Sequence, residues 1–457
     1  MSGRPPAPEG PAPARPSPAR GESEPSAKHA HSLVLVSDLH MASGRDPATG
    51  RPARTEDFAR DSAFASFLRA RAAAQTELGR PWRLVTLGDL FDFARVELGG
   101  PGEDRRRLDT STGAALAKLD RIAAGHPEVF DALRELVAAG VPIDVVPGNH
   151  DLEIARPAVQ RRLRELLGGP GLSGRDWIEF HPRIFYMPGV LYAEHGHHHH
   201  DINTTPQLWR YSEAGEGEVL EAPLGSELGE YITRLLEAAE PGTERLDPDL
   251  ARLVAALRAR PAAGIVTWRA HLRFARALGR QAVRVGRAAV MSRRATAGED
   301  GRSGTAAADT ALTHGSLAGL DRLAIATLAN TFSRLSGMAV ASRASRRGRP
   351  PEPPPPGYMH RAAAAVHRIL RDQGDQVPLY VFAHTHAAER SGLGPAGTEA
   401  TYLNTGTWSE LVRGDAARLT FVEIEVEPNT PPAAALLTWD PTRGQAMPVE
   451  PAGPDRG

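Results

Sequence analysis

The stretch that decides the fold is Ser32-Leu33-Val34-Leu35-Val36-Ser37-Asp38-Leu39-His40. Its first six residues form a short apolar run, which is typical of a buried strand. The run ends in a carboxylate and an imidazole, Asp38 and His40, and hard divalent cations bind oxygen and imidazole ligands. The sequence therefore predicts a buried strand whose carboxyl end carries metal ligands.

Two later apolar runs have the same form and also lead into polar loops. Residues 82–87 precede Gly-Asp-Leu-Phe-Asp at 88–92, and residues 142–146 precede Gly-Asn-His-Asp at 148–151. Each loop opens with a glycine, which allows the chain to turn sharply after a strand. We therefore expect the polar residues of these loops to gather at strand ends, on one edge of a sheet.

The stretches between these runs have the composition of helices. Residues 56–78 and 112–139 are rich in Ala, Leu and Arg with helical periodicity, and the second is interrupted at Gly125 and Pro127. Strands that alternate with helices predict an α/β sheet. In open α/β sheets, ligands collect beyond the carboxyl ends of the strands, which is where the polar loops fall.

Two further motifs follow later in the chain. An expected hairpin, residues 184–186 with 190–193, leads to His195-Gly196-His197, and an apolar run at 379–382 leads to His384-Thr385-His386. Additional strands are predicted at 402–403 and 419–426.

In order and spacing, the five motifs resemble the calcineurin-like metallophosphoesterase superfamily, whose pattern is Asp-x-His, Gly-Asp, Gly-Asn-His-Asp/Glu, His and Gly-His-x-His. The resemblance covers residues 32–200 and about 378–425. One motif alone would carry little weight, whereas five in the correct order are a specific signal. The resemblance implies an α/β fold with two packed mixed β-sheets flanked by helices, and two metal ions at one edge.

The resemblance also assigns the metal ligands. One ion would take Asp38, His40 and His386, the other Asn149, His195 and His384, and Asp89 would bridge the two. A carboxylate between two cations stays ionised, so it acts as a ligand and not as a proton donor. Two divalent ions are expected, with Mn²⁺ favoured and Fe, Zn or Mg as alternatives. Taken singly, each residue could instead be a capping Asp or a surface His.

His150 has a different expected role. In the family, the His of Gly-Asn-His lies beside the metals as a general acid or phosphate contact, and imidazole titrates near neutral pH. Asp92 matches the carboxylate that orients this His, and its alternative role is a helix N-cap. Asp151 is a second candidate for either part, ranked below Asp92.

Two substrate contacts are expected. His197 would border the site and contact the substrate phosphate, whereas His198 to His200 are interpreted as a solvated loop or a nonspecific metal-binding run. Asn404, in Asn-Thr-Gly-Thr-Trp at 404–408, could bind phosphate or position water. The alternative for Asn404 is a polar turn between strands.

The length of 457 residues and the spacing of the motifs predict an insertion. The segment from 202 to 357 is longer than a plain loop. We interpret it as a helical insertion with flexible connections. The metallophosphoesterase domain would then comprise residues 31–201 and 358–445. Pro-rich tails at 1–30 and 446–457 are expected to be disordered.

Four helices are expected within the insertion, at about 226–240, 248–259, 264–292 and 309–340. The third carries a stripe of arginines at helical spacing, namely Arg269, Arg273, Arg276, Arg280, Arg284 and Arg287. A basic amphipathic helix suits an anionic membrane or a phosphate-rich substrate. The simpler alternative is a solvated helix face.

Composition limits the remaining possibilities. The formal net charge of −1 gives no overall attraction to nucleic acid, and no nucleic-acid partner is expected. The absence of cysteine excludes disulfides and thiolate metal sites. The N-terminal residues lack the apolar core of a signal peptide. A cytoplasmic protein is expected, with peripheral contact at the inner face of the membrane as a further hypothesis.

Together these features predict hydrolysis of a phosphoester or pyrophosphate bond by metal-activated water. The expected substrate is a phosphorylated small molecule or a lipid-linked phosphate. In motif style the chain is similar to the branch that hydrolyses UDP-diacylglucosamine, although His150 stands where that branch carries Arg. Phe93-Ala94 replaces the Arg-Gly pair of protein phosphatases, which disfavours phosphoprotein. The competing hypothesis is a non-catalytic metal-binding scaffold that docks a partner or an anionic membrane through the insertion.

Overall fold

The computed structural model describes residues 30–46, 49–53, 55–98, 109–168, 177–199, 203, 357–409 and 419–449. Five helices lie in these ranges: α1 Asp61–Glu77, α2 Thr112–Gly125, α3 Pro127–Ala138, α4 Pro157–Gly168 and α5 Tyr358–Asp372. The twelve strands there are β1 His31–Val36, β2 Trp82–Leu87, β3 Ile143–Val146, β4 Ile178–Phe180, β5 Ile184–Met187, β6 Leu191–Glu194, β7 Leu379–Phe382, β8 Glu389–Leu393, β9 Ala400–Asn404, β10 Thr420–Val426, β11 Ala433–Asp440 and β12 Gln445–Pro448.

The strands form two mixed sheets. The first has the order β12-β11-β10-β1-β2-β3-β4, in which β1 to β4 run parallel and β10 to β12 pair antiparallel. The second has the order β5-β6-β7-β9-β8, with β6, β7 and β9 parallel. Because parallel strands end on the same edge, each sheet brings several loops together at one side.

The first strand shows how the layers pack. Leu33 and Leu35 face the second sheet and lie in one core with Leu191 and Val381. Their neighbours along β1 point the opposite way, into a core shared with α1 and α3. Helix α5 covers the outer face of the second sheet. The predicted α/β fold with two sheets flanked by helices is therefore confirmed.

The break predicted in the helical stretch 112–139 has a clear local cause. The Ser111 hydroxyl accepts a hydrogen bond from the Ala114 amide and caps the start of α2. Helix α2 ends at Gly125, and Pro127 occupies the first position of α3, where a missing N–H costs nothing. The buried His126 lies between the two helices.

Some elements differ from the sequence-based expectation. The 184–193 hairpin is confirmed by antiparallel pairing of β5 and β6. Strands β4, β8 and β11 were not predicted, and β12 continues to Pro448, three residues past the domain end predicted at 445. These are short or half-exposed strands, which lack the continuous apolar signal of β1.

Several predictions fall outside the described ranges, including those for residues 1–29 and 450–457, nearly all of 202–357 and the arginine stripe from Arg269 to Arg287. They stay predictions. The first residues of the tail predicted at 446–457 belong instead to β12. Within the described ranges, no helix is long and apolar enough to cross a bilayer.

A close backbone contact joins α2 to the loop that follows β1. A Cβ atom on Gly125 would stand 2.1 Å from the Ser43 carbonyl oxygen, and one on Gly44 would stand 2.2 Å from the Gly125 carbonyl oxygen. Gly44 also has a φ of +61°, which favours glycine. The helix therefore supports the loop only while both positions lack a side chain.

We expect Gly125→Ala to lower the free energy of unfolding by about 1–3 kcal/mol, because the added methyl forces two backbones apart. Gly113→Ala is the matched control in the same helix, since a Cβ there would meet nothing within 4 Å. It should be neutral or stabilising. Thermal unfolding of both variants checks this, and equal stability of the two would show that the contact relaxes without cost.

Candidate metal centre

The five predicted motifs lie at the carboxyl ends of β1, β2, β3, β6 and β7. The loops after β1 and β2 continue the strand pairing by backbone hydrogen bonds. The Asp38 amide donates to the Gly88 carbonyl (3.1 Å), and the His40 amide donates to the Asp89 carbonyl (3.0 Å). The first two motifs are therefore fixed to each other before any side chain is considered.

Five predicted ligands have a left-handed backbone. Positive φ angles occur at Asp38 (52°), His40 (57°), Asp89 (51°), His384 (72°) and His386 (58°). Only two other described non-glycine residues share this conformation, Leu419 and Asn429. Such conformations cost of order 1–3 kcal/mol each and persist where surrounding contacts impose them, often at functional sites.

The turn after β9 imposes this conformation on Asp38. The Thr407 hydroxyl donates to the Asp38 carbonyl oxygen at 2.8 Å, and the Trp408 and Ser409 amides approach the same oxygen at 3.2 Å. All of these groups are buried. This turn, from the second half of the chain, thus holds the first motif in place.

Two motif glycines leave room for the predicted ligands. A Cβ on Gly88 would stand 2.5 Å from the His195 ring, and Gly88 has a φ of +84°. A Cβ on Gly148 would stand 2.1 Å from Asp89 Oδ1. The glycines of Gly-Asp and Gly-Asn-His are therefore required by the side chains that pack on them.

The first predicted ligand group is assembled. His386 Nε2 lies 3.2 Å from Asp38 Oδ1 and 3.1 Å from His40 Nε2. Asp38 Oδ2 accepts hydrogen bonds from the Ser37 hydroxyl and the His384 amide, which leaves Oδ1 facing the imidazoles. Asp38, His40 and His386 could together hold a metal ion.

The second group contains Asp89, His195 and His384. His195 Nε2 lies 3.1 Å from Asp89 Oδ2, and its Nδ1 is 2.9 Å from the Leu87 carbonyl oxygen, which fixes the ring. Asp89 also belongs to a group with His40 and His150. It is thus placed between the two sets, as a bridging carboxylate must be.

The residues fit a pair of hard cations. Asp38 Oδ1, Asn149 Oδ1 and His195 Nε2 are buried and make no aligned hydrogen bond within the described part of the chain. Buried polar atoms normally have partners, and a bound ion would supply one for these three atoms. Carboxylate, amide and imidazole ligands suit divalent ions such as Mn²⁺ and Zn²⁺.

The charges in the cluster depend on one another. Burial alone would raise the pKa of Asp38 and Asp89, but neighbouring imidazoles, His195 foremost, outweigh it and lower both values. Burial would lower the pKa of His195, but Asp89 and Asp38 raise it to about 9. Dense negative charge thus stabilises positive charge here, whether a proton or a cation carries it.

Asp92 makes a contact suited to each of its two predicted roles. Its Oδ1 accepts a hydrogen bond from the Arg95 amide at 3.1 Å and caps a short helical turn. Its Oδ2 lies 2.9 Å from His150 Nδ1 and 3.5 Å from His40 Nδ1. One buried carboxylate therefore contacts both the predicted general acid and a predicted ligand.

His150 is more exposed than Asp92 or His40, with 28% of its side chain accessible. Burial alone would lower its pKa, but Asp92 and Asp89 outweigh it and the pKa is raised. This shift favours a protonated imidazole, as a general acid requires. The grouping with His40 and Asp89 leaves a ligand role as the alternative.

Asp151, the second candidate for orienting His150 or capping a helical turn, makes its hydrogen bonds to loop amides and none to the turn that follows it. Its carboxylate accepts from the Gly148 amide at 2.6 Å and from the Leu90 amide at 2.9 Å. Burial and the nearby Asp89 raise its pKa to about 7. The Asp151 carboxylate thus links the loops of the second and third motifs by hydrogen bonds.

In the histidine run after His195, His197 is buried, and His198 and His199, the described part of the expected solvated loop, are half-buried. His197 is only 1% exposed, its ring centroid lies 5.4 Å from that of His195, and neither of its nitrogens has a hydrogen-bond partner in the described residues. His199 Nε2 lies 2.6 Å from the buried Glu194. His200 is outside the described ranges. The phosphate contact of His197 stays a prediction.

Asn404 differs from its predicted role as a phosphate contact. Its amide nitrogen donates to the Ala383 carbonyl (3.0 Å) and the Thr385 hydroxyl (3.1 Å), and its oxygen accepts from the Gly406 amide (3.0 Å). The side chain is fully buried. Protein groups already use both ends of the amide, so Asn404 braces the loop that carries His384 and His386.

Two supporting residues were missed by the motif pattern. The hydroxyl oxygens of Ser37 and Thr405 lie 2.6 Å apart, and the Ser37 hydroxyl also donates to Asp38 Oδ2. Both are polar residues directly beside a motif or strand end, which is the only signal the sequence offers for them.

Comparison with known families agrees with this geometry. Residues 31–231 match the family described as calcineurin-like phosphoesterase. No curated protein matches the chain.

We expect Asn404→Asp to destabilise the protein and weaken its metal binding, because a carboxylate would face the Ala383 carbonyl oxygen without a donor. Leaving such a buried pair unsatisfied costs about 1–3 kcal/mol. The matched control is Asn429→Asp, the same change in an exposed turn. Thermal unfolding in chelator and Mn²⁺ titration check this. A variant with normal stability and metal binding but a raised KM would restore the substrate-contact role.

Proposed function

We propose that this chain, a member of the calcineurin-like metallophosphoesterase superfamily, hydrolyses a phosphoester or pyrophosphate bond with water and two divalent cations. One observation carries the proposal. Two groups of side chains able to hold an ion meet around Asp89, and buried ligand atoms in both lack hydrogen-bond partners within the described chain. Two cations a few ångströms apart can stabilise the attacking and leaving oxygens of a phosphoryl transfer.

The proposed ligands are the seven residues of the motif pattern. Asp38, His40 and His386 would hold one cation, Asn149, His195 and His384 the other, and Asp89 both. All except Asn149 fall in groups of side chains able to hold an ion, and the buried Asn149 Oδ1 makes no hydrogen bond within the described residues. Mn²⁺ is the proposed ion, with Fe, Zn or Mg as alternatives. When bound, the cations would lower the pKa of water from about 16 toward about 7 and offset the charge of the phosphate.

Other residues of the site would supply a proton to the leaving oxygen, orient the ring that donates it and contact the phosphate. His150 donates a proton to the leaving oxygen, since Asp92 and Asp89 raise its pKa, which favours the protonated ring, and its side chain is partly exposed. Asp92 Oδ2, 2.9 Å from His150 Nδ1, orients the ring so that Nε2 faces the substrate. His197 borders the second ligand group as a proposed phosphate contact.

The proposed substrate is a phosphorylated small molecule or a lipid-linked phosphate. An assay of phosphomonoesters, phosphodiesters and pyrophosphates with Mn²⁺, with and without chelator, tests both activity and bond type. Turnover that stops on chelation supports the proposal. A chain that binds two metal ions but hydrolyses none of these bonds would instead favour the metal-binding scaffold.

We predict that Asp89→Asn abolishes hydrolysis and weakens binding of both cations, because one carboxylate serves two ions. The exposed Asp372→Asn is the control for the same chemical change. Metal analysis and turnover check the prediction. Two retained ions with near-normal turnover would contradict a bridging role.

We predict that His150→Ala lowers turnover by about 10²- to 10⁴-fold, the usual range for a positioned acid, while metal content is kept. Loss of metal would instead make His150 a ligand. Asp92→Asn should have a smaller effect on turnover and should also weaken metal binding, since Asp92 Oδ2 lies 3.5 Å from His40 Nδ1. Turnover and Mn²⁺ affinity measured on both variants separate these roles.

A further inference from the structure

A residue outside all five motifs contacts a predicted ligand. The Asn203 side-chain nitrogen, Nδ2, lies 3.1 Å from His384 Nε2, although the two residues are 181 positions apart. Asn203 follows His195 by eight positions, beyond the histidine run. The motif spacing gives no reason to expect it in the site.

Two other imidazoles of the centre, those of His195 and His40, share an arrangement. His195 turns Nε2 toward Asp89, and its Nδ1 is held by the Leu87 carbonyl oxygen at 2.9 Å. His40 turns Nε2 toward His386, and its Nδ1 lies 3.5 Å from Asp92 Oδ2. In each ring one nitrogen faces the cluster, and a protein oxygen lies near the other nitrogen.

A ring held in this way has a fixed tautomer. The nitrogen that donates to protein carries the proton, so the lone pair on the other nitrogen is available to a cation. Outer partners of this kind typically contribute 10- to 100-fold to metal affinity. For His384, the amide of Asn203 is at hydrogen-bond distance from one ring nitrogen.

The amide chemistry allows the same arrangement. A rotation of the Asn side chain by half a turn about its Cβ–Cγ bond exchanges the positions of the amide oxygen and nitrogen. The hydrogen-bond partner decides which of the two atoms faces it. With Oδ1 toward the ring, Asn203 accepts a hydrogen bond from His384 Nε2, and Nδ1 is left with the lone pair.

We propose that Asn203 is a positioning residue, which accepts a hydrogen bond from His384 Nε2 and thereby presents His384 Nδ1 to the second cation. This rests on the proposed metal centre. It assigns Asn203 no contact with the substrate. One amide thus sets the affinity of the site that holds Asp89, His195 and His384.

The test uses the full chain, stripped of metal and titrated with Mn²⁺ in a calorimeter. Asn203→Leu keeps the side-chain size but removes the acceptor, and we expect affinity for one of two ions to fall 10- to 100-fold. Asn203→Asp keeps an acceptor in the same shape, so its affinity should equal or exceed that of the unaltered chain. Thermal unfolding in chelator measures folding separately.

The contrast between the two variants decides the proposal. It is overturned if Asn203→Leu binds Mn²⁺ as the unaltered chain does, or if Asn203→Asp is as weak as Asn203→Leu. The second result would mean that the amide acts as a donor or only by packing. If the unaltered chain binds no Mn²⁺, the proposed metal centre itself fails, which is a different result.

Discussion

The Asp89 carboxylate is the interaction on which the rest of the site depends. Its Oδ1 accepts a hydrogen bond from the His150 amide at 2.9 Å, and its Oδ2 lies 3.1 Å from His195 Nε2 and 3.7 Å from His40 Nε2. A buried carboxylate is costly unless positive charge or donors surround it. The neighbouring imidazoles meet that need, and two cations would meet it more strongly. The same carboxylate therefore organises the side chains of the cluster and would contact both proposed cations.

The convergence of the ligands at one site requires strained backbone conformations. Five predicted ligands have positive φ angles. For Asp38 the restraint comes from Thr407, Trp408 and Ser409, which follow β9. Strain of this kind is maintained only when the surrounding fold over-determines the loop. Packing from the second half of the chain thus holds the first ligand loop in its strained conformation.

The sequence predicts those parts of the fold that carry a strong local signal. Strands β1 and β2 are continuous apolar runs, and the motifs that follow them are unusual enough to identify the ligand loops. Strand β11 has small or half-exposed side chains, so its alternation is weak. Asn404 and Asn203 illustrate the other limit. Both are polar residues near motifs, and only three-dimensional contacts distinguish a brace from a substrate contact or a ligand partner.

The centre also requires both halves of the chain. Asp38 and Asp89 come from the first half, whereas His384 and His386 come from the second. The two meet because β7 pairs with β6 in the smaller sheet and β10 pairs with β1 in the larger one. The turn at 405–409 lies between β9 and β10 and restrains Asp38. Formation of both sheets therefore brings the second half into the position where it completes the ligand set. A segment between the halves can vary in length without disturbing the centre, provided that β7 still reaches β6 and β10 still reaches β1.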